Sequence, residues 1–182
     1  MKKNQLFLIV LTALIFIAGC SPSSKEKETK APLIDMKLFF KNGEKTNFQI
    51  SPDGNYYSFL SNYKDMLNVF VQKVGDSNTV RVTNDTLRSI ANYFWKGTRI
   101  VYLQDVGGDE NFQLFSVTST GEDIKALTPF PGYRTDVLDI LRFIPGKEKE
   151  LLVVINKRDK QYFDPYLINI ETGQLTLMYE NK

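Results

Sequence analysis

Short runs of hydrophobic residues, separated by polar turns, dominate the central part of the chain. The run Arg99 to Gln104 (RIVYLQ) is rich in β-branched and aromatic residues, which favour strands. The segment DVGGDEN follows it, and its Gly, Asp and Asn residues are typical of a turn. Pro129 ends the pattern because proline cannot donate a hydrogen bond to a strand ladder. Together with similar runs at 90–95, 112–117 and 123–128, this pattern predicts a four-stranded antiparallel meander.

The same plan recurs on both sides of this unit. Gly54 and Gly97 are 43 residues apart, as are Leu60 and Leu103, and each glycine belongs to a short turn. A period in the mid-forties with four strands per unit is typical of β-propeller blades. We therefore predict an all-β fold, a partial β-propeller of about three four-stranded antiparallel blades, at about 46–83, 88–128 and 136–179.

A single β-sandwich is the alternative, because it also has short strands every 8–12 residues or so. Thr83 and Thr128 are 45 residues apart, and Glu171-Thr172-Gly173-Gln174 occupies the position of Ser119-Thr120-Gly121-Glu122 in the preceding unit. This agreement in register favours the propeller. The middle strands of a blade are covered on both faces, so we expect Phe112 to Phe115 (FQLF) to lie in a core.

The N-terminus has the pattern of a secretion signal. Lys2 and Lys3 precede a 13-residue apolar run, Leu6 to Ala18, which is too short to span a membrane. The run ends in Ile-Ala-Gly-Cys20, which resembles the lipobox of bacterial lipoproteins. That resemblance implies cleavage before Cys20, lipid attachment to its thiol, and a place in the bacterial cell envelope, at the outer membrane or cell surface. Several acyl chains make a stable anchor.

Three domains follow from these patterns: a signal peptide at 1–19, a flexible tether at 20–32 (small and charged residues), and the partial propeller at 33–182. Without Lys2 and Lys3 the chain carries 21 basic and 21 acidic residues, so its charge gives no reason to expect nucleic-acid binding. Cys20 is the only cysteine, and an intrachain disulfide is therefore excluded.

The sequence lacks the residues that common catalytic and metal sites need. It contains no histidine, which excludes Ser-His-Asp and Cys-His catalysis within this chain and zinc sites built from His and Cys. It also lacks a G-x-S-x-G elbow, a P-loop and a dinucleotide-binding fingerprint. We expect no catalytic residue, no cofactor and no metal in this chain.

Three groups of residues are candidate sites. Asp105, Asp109 and Glu110 share one turn, but their spacing differs from that of a calcium loop, and turn capping explains them. A group of charged residues in the third unit fits exposed charges or contacts between blades: Arg134, Asp136, Arg142, Lys157, Arg158 and Asp159. A group of aromatic residues fits a core better than a ligand platform: Phe59, Tyr93, Phe94, Trp95, Tyr102, Phe112 and Phe115.

Several motifs resemble the propeller domain of the prolyl oligopeptidase family, in its acylaminoacyl-peptidase-like branch. They are Phe94-Trp95, Tyr102-Leu-Gln-Asp105, Gly108-Asp-Glu-Asn111, Leu127-Thr-Pro-Phe130, Phe39-Phe-Lys-Asn-Gly-Glu-Lys45, Ser51-Pro-Asp-Gly54 and Leu67-Asn-Val-Phe70. The resemblance covers roughly residues 32 to 179. The SPDG turn is the least specific of these motifs, because TolB-like propellers share it.

The resemblance implies a propeller that precedes a C-terminal α/β-hydrolase domain and restricts access to its serine peptidase site, so that short peptides are cut. No catalytic residue of the family has a matching position here. We therefore expect a non-catalytic N-terminal portion of a lipid-anchored peptidase, with the missing blades and the hydrolase domain as its partners. The alternative is a freestanding TolB-like binding or assembly lipoprotein that closes its ring by self-association.

Overall fold

A computed structural model describes residue 31, residues 33–40 and residues 44–182. The chain divides into two compact units, Met1–Lys41 and Asn42–Lys182. In the first unit the described residues include one short helix, α1 (Met36–Phe40). Among the described residues, no helix has both the length and the apolar character needed to cross a membrane.

The second unit consists of strands in three four-stranded antiparallel sheets, each a meander in chain order. The first sheet contains β1 (Lys45–Ile50), β2 (Tyr56–Tyr63), β3 (Met66–Lys73) and β4 (Thr79–Arg81). The second contains β5 (Tyr93–Lys96), β6 (Arg99–Gln104), β7 (Gln113–Thr118) and β8 (Lys125–Ala126). The third contains β9 (Thr135–Asp139), β10 (Glu150–Asp159), β11 (Tyr162–Asn169) and β12 (Leu175–Leu177). The predicted all-β fold of three such units is confirmed.

The middle sheet is buried on both faces. In β6, Ile100 and Val101 are both fully buried although their side chains point to opposite faces. Ile100 belongs to a core cluster that contains Val69 and Val71 of the first sheet, and Val101 to one that contains Val153 of the third sheet. The two cores therefore lie between successive sheets, as the apolar run at 112–115 predicted.

In each of the first two sheets, a threonine after the fourth strand makes an equivalent hydrogen bond. Thr83 Oγ1 accepts the backbone N–H of Val69 at 2.9 Å, and Thr128 Oγ1 accepts that of Leu114 at 2.8 Å. In the third sheet the corresponding strand position is Pro165, which has no N–H to be satisfied. The backbone bonds that define this alignment are present in all three sheets: Val82 to Val69, Leu127 to Leu114 and Met178 to Pro165.

A glycine turn of each later sheet lies against the backbone of the sheet before it. Gly121 has φ +83°, and a Cβ atom there would lie 3.1 Å from the carbonyl oxygen of Arg81. Gly173 has φ +73°, and a Cβ atom there would lie 3.7 Å from the carbonyl oxygen of Leu127. Both positions favour glycine because other residues adopt positive φ at a cost. These glycine turns are the structural basis of the repeat at 119–122 and 171–174.

Three predicted strands differ clearly from the observed ones. The run 123–128 predicts a strand of six residues, but β8 contains only Lys125–Ala126. The run 90–95 predicts a strand from Ile90, but β5 begins at Tyr93, because the Ile90 N–H bonds to the Leu67 carbonyl oxygen of the first sheet. Within the predicted blade at 136–179, the apolar run from Val137 to Phe143 favours a strand, but β9 ends at Asp139. There the Asp139 carboxylate accepts the Leu141 N–H at 2.6 Å, and Leu141 adopts φ 49°. This local turn replaces the strand that the apolar residues suggested.

Candidate functional site

Cys20, the predicted lipid attachment residue, lies outside the described residues. The predicted signal peptide lies there too, with almost all of the predicted tether. Lipid attachment therefore stays a prediction.

The acidic turn of the second sheet is held by its own hydrogen bonds. Asp105 is buried and accepts bonds from Arg88 through Nε at 3.3 Å and Nη2 at 3.2 Å. Asp109 accepts the N–H and the side-chain amide of Asn111, and these bonds hold the pKa of its carboxyl below the usual value. Gly108 makes room for Arg88, since a Cβ atom there would lie 3.1 Å from Nη1. These carboxylates cap a turn and pair with an arginine.

Within the part of the chain that the structure describes, no three Cys, His, Asp or Glu residues are arranged to hold a metal ion. Asp105 and Asp109 are both engaged by donors of the protein.

The charged residues of the third sheet mostly form ion pairs and turns. Arg134 bonds Asp136 at 2.8 and 3.2 Å, which raises the pKa of Arg134. Arg158 bonds the buried Asp164 at 2.8 and 3.0 Å, and the carboxylate of Asp159 caps the N–H of Gln161. The same Asp164 also accepts the Asn181 N–H at 2.8 Å. Lys157 lies 3.9 Å from the Phe130 ring centroid. Arg142 is exposed and makes no hydrogen bond to another described residue.

The aromatic residues proposed as core residues are indeed buried or half-buried. Phe59, Tyr93, Trp95 and Tyr102 are each at most 5% exposed. Phe94, Phe112 and Phe115 are half-buried. Burial raises the pKa of both Tyr93 and Tyr102 to about 12. Trp95 donates through Nε1 to Ser58 Oγ at 2.8 Å, and Tyr93 donates through its hydroxyl to the Asn47 carbonyl at 2.7 Å. Both bonds join the second sheet to the first.

Lys96 makes a contact between sheets that the sequence does not indicate, because a lysine beside Gly97 is typical of a turn. Its side chain is buried, and Nζ donates to the carbonyl oxygens of Ile140 at 2.6 Å and Leu141 at 3.3 Å. Burial lowers the pKa of Lys96 from its ordinary value. The side chain joins the second sheet to the third, over a separation of 44 residues. The only feature of the sequence that points to this contact is the position of the charged lysine directly after an aromatic run that is buried or half-buried.

An open cleft of about 940 Å³ lies beside the first sheet. It is lined by side chains of β1 and β2, by the turn that follows β1, by Val74 after β3, and by Arg142 of the loop between β9 and β10. The lining residues are mostly apolar: Phe48, Ile50, Tyr57 and Val74. The cleft offers hydrophobic surface and one cation, and the residues that line it do not include a carboxylate or hydroxyl nucleophile paired with a base.

No family model matches the chain. Over 167 residues it is 36% identical to dipeptidyl aminopeptidase BIII of Pseudoxanthomonas mexicana. The chain is homologous to a peptidase of the prolyl oligopeptidase family. The match covers 90% of this chain but only 24% of that enzyme, so the chain spans about a quarter of the length of this relative.

The fold of the chain resembles several solved structures, among them the following two. Acylaminoacyl peptidase of Pyrococcus horikoshii matches with a TM-score of 0.54 at 14% identity, over 76% of this chain and 25% of that one. A protein described as TolB, from Agrobacterium tumefaciens, matches with a TM-score of 0.51 at 14% identity, over 76% of this chain and 50% of that one. At this identity the likeness shows the fold alone. Together with the three sheets it confirms the predicted partial β-propeller.

Proposed function

We propose that this chain is the non-catalytic N-terminal propeller portion of a lipid-anchored serine peptidase of the prolyl oligopeptidase type. In the complete enzyme the propeller would restrict access to a hydrolase domain that cuts short peptides. The observation that carries the proposal is the 36% identity to a dipeptidyl aminopeptidase over 90% of this chain and a quarter of that enzyme.

The outer faces of the first and third sheets support a role inside a larger propeller. Phe48 is 57% exposed and Ile50 is 70% exposed on the outer face of the first sheet. Half-buried residues form the apolar surface of the outer face of the third sheet: Leu152, Val154, Pro165 and Leu167. Contiguous apolar surfaces of this kind are typical of interfaces.

The chemistry of the described residues supports a non-catalytic role. The sequence has no histidine, and the acidic residues of the candidate turn are paired or cap backbone groups. The serine hydroxyls of the sheets serve the fold: Ser58 accepts a bond from Trp95, and Ser116 donates to the Ile170 carbonyl at 3.0 Å. Peptide hydrolysis by a serine needs a base beside the hydroxyl, and these serines have none.

A chimeric enzyme tests the proposal. The matched 167 residues of the Pseudoxanthomonas mexicana enzyme are replaced by the corresponding residues of this chain, and hydrolysis of dipeptidyl p-nitroanilides is measured beside the chain alone. We expect an active chimera and an inactive chain. An inactive chimera, or turnover by the purified chain that a serine-directed inhibitor abolishes, would contradict the proposal.

The same experiments separate the alternative, a freestanding TolB-like lipoprotein. A defined closed oligomer of the chain in light scattering, together with an inactive chimera, would favour that alternative.

Labelling of the chain by radioactive palmitate tests the anchor, and we expect Cys20→Ser to abolish the label. Labelling that persists in the variant would place the lipid elsewhere.

A further inference from the structure

The first sheet carries an aromatic cluster on the face that points away from the second sheet. Ser58 faces the second sheet, where it binds Trp95, so its neighbours Tyr57 and Phe59 face outward. Phe59 stacks on Phe70 with ring centroids 5.9 Å apart, and Phe48 lies 5.4 Å from Phe59. Phe59 is 1% exposed, whereas Phe48 is 57% exposed. Part of this face is thus packed, and part of it is open.

Arg81 lies on the same face, and its Nε atom has no hydrogen-bond partner among the described residues. Arg81 stands opposite Phe70 in the pairing of β3 with β4, and its guanidinium carbon lies 3.4 Å from the Tyr63 ring centroid. The Nε atom is buried. The other half-buried or buried arginines, Arg99 and Arg134, each bind a carboxylate. A buried donor without an acceptor is costly and rare in proteins.

Three cations contact the aromatic rings of this face. Besides Arg81, they are Lys45, whose Nζ lies 4.4 Å from the Phe59 centroid, and Lys64, whose Nζ lies 5.4 Å from the Tyr63 centroid. A surface that combines aromatic rings with cations is complementary to an apolar surface that carries carboxylates.

The chain itself shows how its sheets pair such cations. Lys96 of the second sheet donates to carbonyl oxygens of the third, and Lys125 of the second sheet donates to the Glu171 carbonyl oxygen of the third at 2.7 Å. In both cases a cation of one sheet binds a backbone acceptor of the next. Arg81 is a cation on the other side of its sheet, on the face that points away from the second sheet.

We propose that the outer face of the first sheet packs against a further β-sheet of the same peptidase, and that this sheet presents a carboxylate to Arg81. The proposal rests on the proposed function. Propellers repeat their sheets radially, so that a sheet face is covered by another sheet, and arginine binds carboxylates in a bidentate geometry. A sheet with an apolar face and one Asp or Glu opposite Arg81 covers the rings and satisfies the guanidinium.

Zero-length coupling in the chimera tests this proposal. In the Arg81→Lys variant, a carbodiimide joins the new amine to any carboxylate in contact with it, and mass spectrometry identifies the partner. We expect coupling to an Asp or Glu in a strand contributed by the Pseudoxanthomonas mexicana enzyme. Arg88→Lys is the matched control, because Arg88 pairs with Asp105 of this chain at 3.2 Å; we expect coupling to Asp105 and not to such a strand.

A photoreactive phenylalanine at Phe48 gives a second measurement that leaves Arg81 intact. We expect it to crosslink to the same strand or to its neighbour. In an active chimera, coupling of both probes only within residues of this chain, to a second copy, to the hydrolase domain or to nothing would overturn the proposed partner. An inactive chimera would instead contradict the proposed function, on which this inference rests.

Discussion

Replacing Trp95 by alanine is expected to lower the free energy of unfolding of the chain by about 3–5 kcal/mol. Trp95 is 2% exposed and belongs to the core between the first and second sheets. The substitution removes a large buried ring, and it also removes the hydrogen bond to Ser58 Oγ, whose residue is fully buried. An unsatisfied buried hydroxyl adds to the cost of the cavity. Urea-induced unfolding followed by far-UV circular dichroism measures the difference.

Two controls separate the contributions. Trp95→Phe keeps an aromatic ring in the core but loses the N–H donor, so we expect a smaller loss of about 1–3 kcal/mol. Leu138→Ala removes an apolar side chain that is 57% exposed, and we expect a change within about 0.5 kcal/mol. If Trp95→Ala proved no more destabilising than Leu138→Ala, the Trp95 side chain would not lie in a core between two sheets.

The chain is also expected to lose stability as the pH rises from 10 towards 12. The folded-state pKa of Tyr93 and of Tyr102 is raised to about 12, from an ordinary value of 10.0. Between these values the unfolded chain loses the two phenolic protons and the folded chain keeps them, so the unfolded state is favoured. A pKa difference of one corresponds to about 1.4 kcal/mol, so the two tyrosines together remove roughly 5 kcal/mol by pH 12.

Urea midpoints measured across this pH range test the effect. The Tyr93→Phe, Tyr102→Phe double variant is expected to lose much less stability above pH 10, whereas Tyr179→Phe, at a residue 63% exposed, is expected to behave like the unsubstituted chain. Burial lowers the pKa of Lys96, which gives an opposite slope just below pH 10.5 in all three proteins. Equal slopes in the double variant and the unsubstituted chain would show that buried tyrosines do not control alkaline unfolding.

The strands were predictable where local pattern and tertiary packing agree. β6 was predicted at Arg99 to Gln104 and occupies those residues, because its β-branched and aromatic side chains suit a strand buried on both faces. The repeat offsets also predicted the sheet units, since Thr83 and Thr128 make equivalent hydrogen bonds. A threonine that recurs at the same position of the repeat and makes the same hydrogen bond is the strongest local evidence for the repeated unit.

The prediction failed where a contact distant in sequence decides the local conformation. The residues after Asp139 are apolar enough for a strand, but the backbone forms a turn in which Leu141 has φ 49°. The carbonyl oxygens of Ile140 and Leu141 in this turn accept hydrogen bonds from Lys96. No periodicity in either segment encodes that pairing. Likewise, the missing acceptor of Arg81 is visible only once β4 is placed beside Phe70 and Tyr63.

The structure of the chimeric peptidase, by crystallography or electron cryomicroscopy, tests the central claim most directly. We expect β1–β4, β5–β8 and β9–β12 to form three consecutive blades around one axis, with the outer faces of the first and third sheets covered by further sheets. A structure in which these strands form two face-to-face layers, or in which both outer faces remain in solvent, would contradict it.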